Sequence, residues 1–576
     1  MERAYDLVIR GGLVFDGNGG EAFETDIAVK DGRIADIGRI HGAGAEEIDA
    51  RGRIVTPGFV DIHTHYDGQA TWDSRMQPSA WHGVTTIVMG NCGVGFAPCR
   101  PDDHNRLIHL MEGVEDIPFP VLSEGLPWNW ESYPEYLDSL ASRQFDVDIG
   151  SQLPHAALRV AVMGERGVNR EPASSADIAS MAAIAQRAME CGAIGFGTSR
   201  TLNHRTSDGH HIPTLTAGED ELTGIAMGLA AAGKGVLQVV SDFTDPVVEF
   251  AMLRRIVERS GRPLSFTLAQ GGLAPKAYQV LLAALDDAVA AGLPMKAQVA
   301  ARPVGVLLGL ELTLNPFSHY PLYREISALP LAEKLARLRN ADFRAALLAG
   351  NPERRGRGFA SAWGQMHLMA ELPDYEPTEE STVAFRASAL GVSPEEVALD
   401  QMLSNGGRGM LYVPFLNYAE GSLDAVHEMI TNPNTVPGLS DGGAHVGMIC
   451  DGSFPTSLLT HWTRDRTRGP KLDLPYVIRQ QTRDTARTVG LYDRGVIAPG
   501  YRADLNVIDY DHLTLHAPQV VYDLPTGGRR LIQKASGYVA TIVAGEITYR
   551  DGDPTGALPG RLLRGGQPAP MALAAE

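Results

Sequence analysis

Between residues 57 and about 490, short apolar β-branched runs alternate with longer stretches of helical pattern. This alternation leaves the chain few folds to choose from. Candidate strands lie at 83–89, 194–198, 235–240, 264–268, 295–299 and 436–441, and helices are expected at 175–191, 219–232, 245–260 and 275–291. Strand–helix repeats of this length predict a parallel sheet with crossover helices, most often closed into a (β/α)8 barrel. Residues 314–380 fit the repeat poorly and are expected to form a mostly helical insertion.

Both ends of the chain read differently. Residues 5–55 show short strands broken by turns, including the hairpin signal Asp31-Gly32, and the same style returns at 503–509 and 537–550. The expected architecture is therefore a barrel at 57–499 beside a small β-sandwich domain built from 1–56 and 500–558. Residues 559–576 have no periodicity and are expected to be a C-terminal tail, or an arm packing on a neighbour.

At the start of the barrel region, Phe59-Val60-Asp61-Ile62 runs into His63-Thr64-His65, with Asp67 two residues on. On a strand, positions i and i+2 share a face, so both imidazoles can address one metal ion. An isolated His-x-His is more often a pair of surface histidines. Here Pro57-Gly58 breaks the chain just before the strand, which favours the metal reading.

Composition excludes several functions. Formal net charge is −19, with 50 Lys+Arg against 69 Asp+Glu and no sizeable basic run, which argues against nucleic acid or an anionic membrane as partner. No window of about 18 apolar residues is present, and Met1–Asp6 lacks the apolar stretch of a signal peptide. Four cysteines in 576 residues do not make a disulfide framework. The cytoplasm is the expected compartment.

Seven motifs in order resemble the amidohydrolase superfamily, in its D-aminoacylase (N-acyl-D-amino-acid deacylase) branch. They are the N-terminal hairpin, residues 57–65, Gly83-Val84-Thr85-Thr86, Gly90-Asn91-Cys92-Gly93-Val94 with Ala97-Pro98, Gly195-Phe196-Gly197-Thr198, Ser440-Asp441-Gly442 and 499–505. The resemblance implies a divalent metal, zinc in this branch, held by His63, His65 and Asp441. It makes Asp441 the proton carrier, first base and then acid. It further implies Cys92 as a zinc ligand, a role for which a thiolate is well suited; the alternative is a small buried apolar residue. Many barrels of this type pair, so a homo-oligomer is expected.

The chain departs from that pattern in one respect. The branch carries a histidine after strand five and another after strand six, where this chain reads Val239-Val240-Ser241-Asp242-Phe243 and Ser265-Phe266-Thr267-Leu268-Ala269-Gln270. Of one or two metal ions, one is therefore favoured, held by His63, His65 and Asp441 with help from Cys92 or Asp242.

Other candidates line the substrate. The stretch 198–211 gathers Arg200, His204, Arg205, His210 and His211 after a strand, on the active-site face of a barrel. Arg200 or Arg205 can grip a substrate carboxylate through the planar guanidinium fork, and Arg302 is a third candidate. His204 can line the pocket or reach the metal, and His445, four residues past Asp441, can line it too. Trp72, Trp81 and His82 are better explained by core packing than by a pocket wall. The expected activity is hydrolysis of a linear amide bond in an N-acyl-D-amino-acid-like substrate. The alternatives are a cyclic amide, a lactone or a small peptide or natural-product amide as substrate, and a non-catalytic binding or assembly protein.

Overall fold

The computed structural model describes residues 3–350 and 358–570. Residues 351–357, inside the expected insertion, and 571–576, the end of the expected tail, lie outside the described residues. The helices at Ser175–Cys191, Glu219–Ala232, Pro246–Ser260 and Ala277–Ala290 fall where the sequence pattern places them.

Eight parallel strands form the barrel sheet, in spatial order that follows the chain. They are Phe59–Asp61, Val84–Met89, Asp148–Pro154, Gly195–Arg200, Val236–Ser241, Leu264–Leu268, Met295–Val299 and Thr435–Pro437. The seam between first and eighth closes just beyond the last strand. Thr64 bridges Gly442 in parallel, the Asp441 amide donates to the His63 carbonyl at 3.1 Å, and the His65 amide donates to the Gly442 carbonyl at 2.8 Å. The three residues with metal-type side chains at 63, 65 and 441 therefore sit on the two strand ends that close the barrel.

The segment interrupting the repeat is wider than 314–380, with described residues from Val304 to Leu416, while the helix Asp424–Thr431 before the eighth strand packs in the barrel core. The segment contains a three-stranded antiparallel sheet, Val304–Leu308, Leu411–Leu416 and His367–Leu368, as well as helices such as Leu331–Arg339 and Pro394–Gly407. Its own apolar core is built around Phe317, Leu338, Leu347, Leu399 and Leu411.

Both chain ends share one nine-stranded sheet, in which Leu505–Ile508 pairs antiparallel with Ile54–Pro57. The sheet is mixed, because residues 3–14 pair in parallel with Ala43–Asp49 and with Ile54–Pro57. Its buried face gathers Ile9, Ile27, Val55, Leu505 and Ile542 into one core.

A buried ionic network locks this sheet to the barrel floor. Asp148 opens the third barrel strand and meets Arg494 at 2.7 Å and Arg502 at 3.0 Å, while Arg502 also pairs with Asp504 at 3.2 Å. Residues 560–562 pack on their own chain: Gly560 bridges Phe145, Leu562 bridges Ile149, and the Arg561 amide donates to Asp148 at 3.0 Å. Among the described residues, no helix is long and apolar enough to cross a membrane.

Candidate metal centre

The site is built from turns at the C-terminal ends of three strands. After the second strand the chain turns through Gly90-Asn91-Cys92-Gly93. Gly90 has φ +82°, and a Cβ there would lie 2.2 Å from the Gln152 carbonyl, so no larger residue fits. Asp67 supports the turn by accepting from the Gly90 amide at 3.1 Å. Cys92, Asp441 and His445 all have left-handed backbones, with φ of 55°, 48° and 50°. Outside glycine this region costs free energy and concentrates at functional sites.

His63 Nε2, His65 and the Cys92 sulfur offer ligand atoms within 4.8 Å of one another, and all three residues are buried. Asp441 Oδ1 lies 3.4 Å from Nε2 of His63 and 3.4 Å from Nε2 of His65. The structure thus brings His63, His65, Cys92 and Asp441 together from strand ends one, two and eight.

Hydrogen bonding sets which nitrogen faces the cluster. Gln298, on the seventh strand, donates its amide to Ser265 at 2.9 Å, which leaves its Oε1 to accept from His63 Nδ1 at 2.7 Å. His63 Nε2 is then the bare nitrogen, 3.4 Å from the Cys92 sulfur. It faces a buried carboxylate oxygen, Asp441 Oδ1, that has no hydrogen-bond partner. A lone pair opposed to an unpartnered carboxylate oxygen is unfavourable without a cation between them. Two imidazole nitrogens, a sulfur and a carboxylate oxygen are a donor set that fits a divalent transition metal.

Burial sets the protonation of this cluster. It lowers His63 to about 4, against the pull of Asp441, and it pushes the Cys92 thiol up to about 12. For Asp441 burial acts upward, but the adjacent His65 imidazole and the charges of His63 and His65 overcome it and hold the carboxyl well below its usual range. His65 is raised despite burial, chiefly by the charge of Glu115.

The barrel interior beneath is amide-lined. Gln152 donates to Asn91 Oδ1 at 2.8 Å, and the Cys92 amide donates to Gln238 Oε1 at 3.1 Å. Gln238 and Ser265 are the buried polar residues that strands five and six contribute here. Asp242 is turned away: it accepts from Thr201 Oγ1 and, at 2.8 Å, from the Leu202 amide, so it does not join the cluster.

The substrate candidates divide. His204 is held by Ser199 at 2.8 Å, close enough to His445, His65 and Asp441 to feel their charges, and burial lowers it to about 3. His445 Nε2 lies 3.9 Å from Asp441 Oδ2 and its side chain is 18% exposed, on the rim of the site. Arg205 is exposed on the same loop as His204 and gives one N–H to the Gly209 carbonyl at 3.1 Å. Arg200 differs from expectation, since Glu249 takes its guanidinium at 2.6 and 3.3 Å and the Ala217 carbonyl takes another donor. Arg302 is likewise committed. It is buried over the Tyr375 ring at 3.4 Å and bonded to the Cys450 carbonyl at 2.9 Å and Asp451 at 3.1 Å. It faces a separate cavity of about 430 Å³ lined by Tyr375, His461 and Arg464. His82 is a core residue, bonded to Thr456 and the Gln533 carbonyl.

Glu115 escapes a motif-based reading. It ends the helix His104–Glu115, 1% exposed, with Oε1 3.1 Å from His65 Nδ1. The available signal was periodicity: Leu107, Leu110, Met111 and Val114 form the buried stripe, and Glu115 continues that stripe with a charge.

Known proteins resemble this chain over nearly its whole length. Residues 46–549 match the model of a family described as the amidohydrolase family. The chain is 28% identical over 615 residues to an uncharacterised protein of Mycobacterium tuberculosis, covering 98% of this chain and 96% of that one. It is 27% identical over 591 residues to the N-acyl-D-aspartate deacylase of Alcaligenes xylosoxydans xylosoxydans, covering 99% and 97%. In fold it resembles a D-aminoacylase studied for its binuclear metal centre, with TM-score 0.65, 23% identity, and 97% and 100% coverage. It also resembles an N-acyl-D-glutamate deacylase from Bordetella bronchiseptica complexed with zinc and a phosphonate inhibitor, with TM-score 0.65, 22% identity, and 98% and 100% coverage.

Proposed function

This chain belongs to the amidohydrolase family, and from that premise we propose that it is a metal-dependent hydrolase of a linear amide bond in an N-acyl-D-amino-acid-like substrate. The observation that carries the reading is the buried cluster of His63, His65 and Cys92 with Asp441 beside it, whose unpartnered Oδ1 faces two imidazole nitrogens. The N-acyl-D-aspartate deacylase relative, aligned along almost the full chain, supports the substrate class.

These four residues would hold the metal, and a sulfur–imidazole–carboxylate set favours zinc. When bound, a divalent metal acts as a Lewis acid, lowering the pKa of water from 15.7 to about 7 and polarising a carbonyl oxygen. The chain supplies the rest. Asp441, kept ionised by its two histidine neighbours, takes the proton of the attacking water and delivers it to the departing amine. His445 and His204 line the approach to Asp441. Arg205, exposed on the loop that carries His204 and with one N–H on the Gly209 carbonyl, is the candidate to receive the substrate carboxylate.

Asp441→Asn removes the proton carrier while keeping the side-chain shape. The expected result is a fall in kcat of at least about 100-fold, the scale of general acid–base catalysis, with the thermal midpoint little changed. Near-wild-type turnover on the best substrate would sink the reading. The absence of imidazole from strands five and six favours asking whether the substrate differs from that of the relatives. A panel of N-acyl-D- and N-acyl-L-amino acids beside lactams and lactones answers this, and preference for a cyclic substrate would replace the linear-amide reading.

A further inference from the structure

Glu115 has no part in the steps just described, yet its carboxylate is buried at the heart of the site. Burying a carboxylate is costly unless both oxygens are matched. Here Oε1 lies 3.1 Å from His65 Nδ1, and Oε2 lies 3.6 Å from His445 Nε2. Oε2 and His65 Nδ1 are both buried without a hydrogen-bond partner, so the contacts to the two imidazoles are charge contacts. The two imidazoles come from opposite sides of the barrel seam, His65 after the first strand and His445 beyond the eighth.

The backbone reinforces this placement. The His445 amide donates to the Glu115 carbonyl, and the next residue, Asp116, accepts from the Gly447 amide at 3.0 Å and from Thr313 Oγ1 at 3.0 Å. The helix end is thus pinned to the loop that carries Asp441 and His445. His63, by contrast, has only the neutral Gln298 amide behind it. The two histidines of the His-x-His pair are held by partners of different charge.

We propose that Glu115 is a positioning residue for the metal centre: its carboxylate stands against Nδ1 of His65, favouring the proton on that nitrogen and Nε2 turned toward Cys92 and Asp441, and its other oxygen faces His445 beside Asp441. This rests on the metal reading of His63, His65, Cys92 and Asp441. A carboxylate behind a ligating imidazole raises its donor strength, and losing such a partner weakens metal binding by about 10- to 100-fold.

The test measures zinc affinity by competition with a chromophoric chelator, and the visible spectrum of the cobalt(II)-substituted protein. Glu115→Gln keeps the shape and removes the charge, and Glu115→Asp keeps the charge but shortens the reach. Both should loosen zinc by about 10-fold or more and shift the cobalt bands. Asp116→Asn, which loosens the same helix end without touching an imidazole, should leave both readouts within about twofold. Wild-type zinc affinity and an unshifted cobalt spectrum in both Glu115 variants would overturn the inference alone. Equal loosening in Asp116→Asn would overturn it too, reducing Glu115 to part of a structural dock. A wild-type protein without stoichiometric metal would instead overturn the reading of the site, and this inference with it.

Discussion

Cys92 shows how one residue's surroundings decide its chemistry. In a glycine-flanked turn with φ 55°, its sulfur is buried and burial pushes the thiol to about 12. A metal ion that takes this sulfur as a ligand would therefore displace a proton that stays on through neutral pH. Between pH 6 and 9 the affinity of the wild type should rise with pH, and Cys92→Ser should lose about one power of ten per pH unit from that slope. Chelator competition at several pH values measures this, and equal slopes would remove Cys92 from the ligand set. His63 contributes nothing to the slope there, because burial has already lowered it to about 4.

At the scale of elements, the segment between the seventh and eighth strands is tied to the helix that follows the eighth by a buried ion pair. Glu376 meets Arg466 at 3.0 Å, with side chains 2% and 0% exposed, and His461 at 3.1 Å. Burial would raise Glu376, but His461 and Arg466 lower it from 4.5 to about 2. A depressed carboxyl stabilises the fold fully above the unfolded value and loses that contribution as pH falls through the folded one. The stability advantage of wild type over Glu376→Gln should therefore be full above pH 5 and shrink steadily toward pH 2. The change is on the order of 3 kcal/mol at most. Urea midpoints at pH 5.5 and pH 3 compare the two, and a constant difference would show that the pair does not titrate in this window.

Across the whole molecule, the Asp148–Arg494–Arg502–Asp504 network joins the barrel floor, the nine-stranded sheet and the segment after 558. Asp148 has no exposed surface. Removing one member leaves a buried charge unpaired, so Asp148→Ala should cost about 3–5 kcal/mol of stability. Chemical denaturation followed by circular dichroism measures it, and a loss below about 1 kcal/mol would mean that water or rearrangement compensates. Metal affinity should be unaffected, because the network lies at the opposite end of the third strand from the turn that Gln152 abuts.

Sequence alone pointed to the barrel class, to chain ends of one β style and, through the His-x-His spacing and the motif resemblance, to His63, His65, Cys92 and Asp441 as candidates. Periodicity, turn residues and motif order are local properties, and each survives in a linear string. The third strand, Asp148–Pro154, was not legible, because its Gly150, Ser151 and Gln152 serve a polar barrel interior rather than an apolar one. Tertiary structure alone decided that Arg200 and Arg302 are already spoken for by Glu249 and Asp451, since a guanidinium's partner lies far away in the chain. It likewise decided that Glu115 stands behind His65. The closing of a barrel brings a helix end and two strand ends to one point, and no spacing rule in the sequence encodes that meeting.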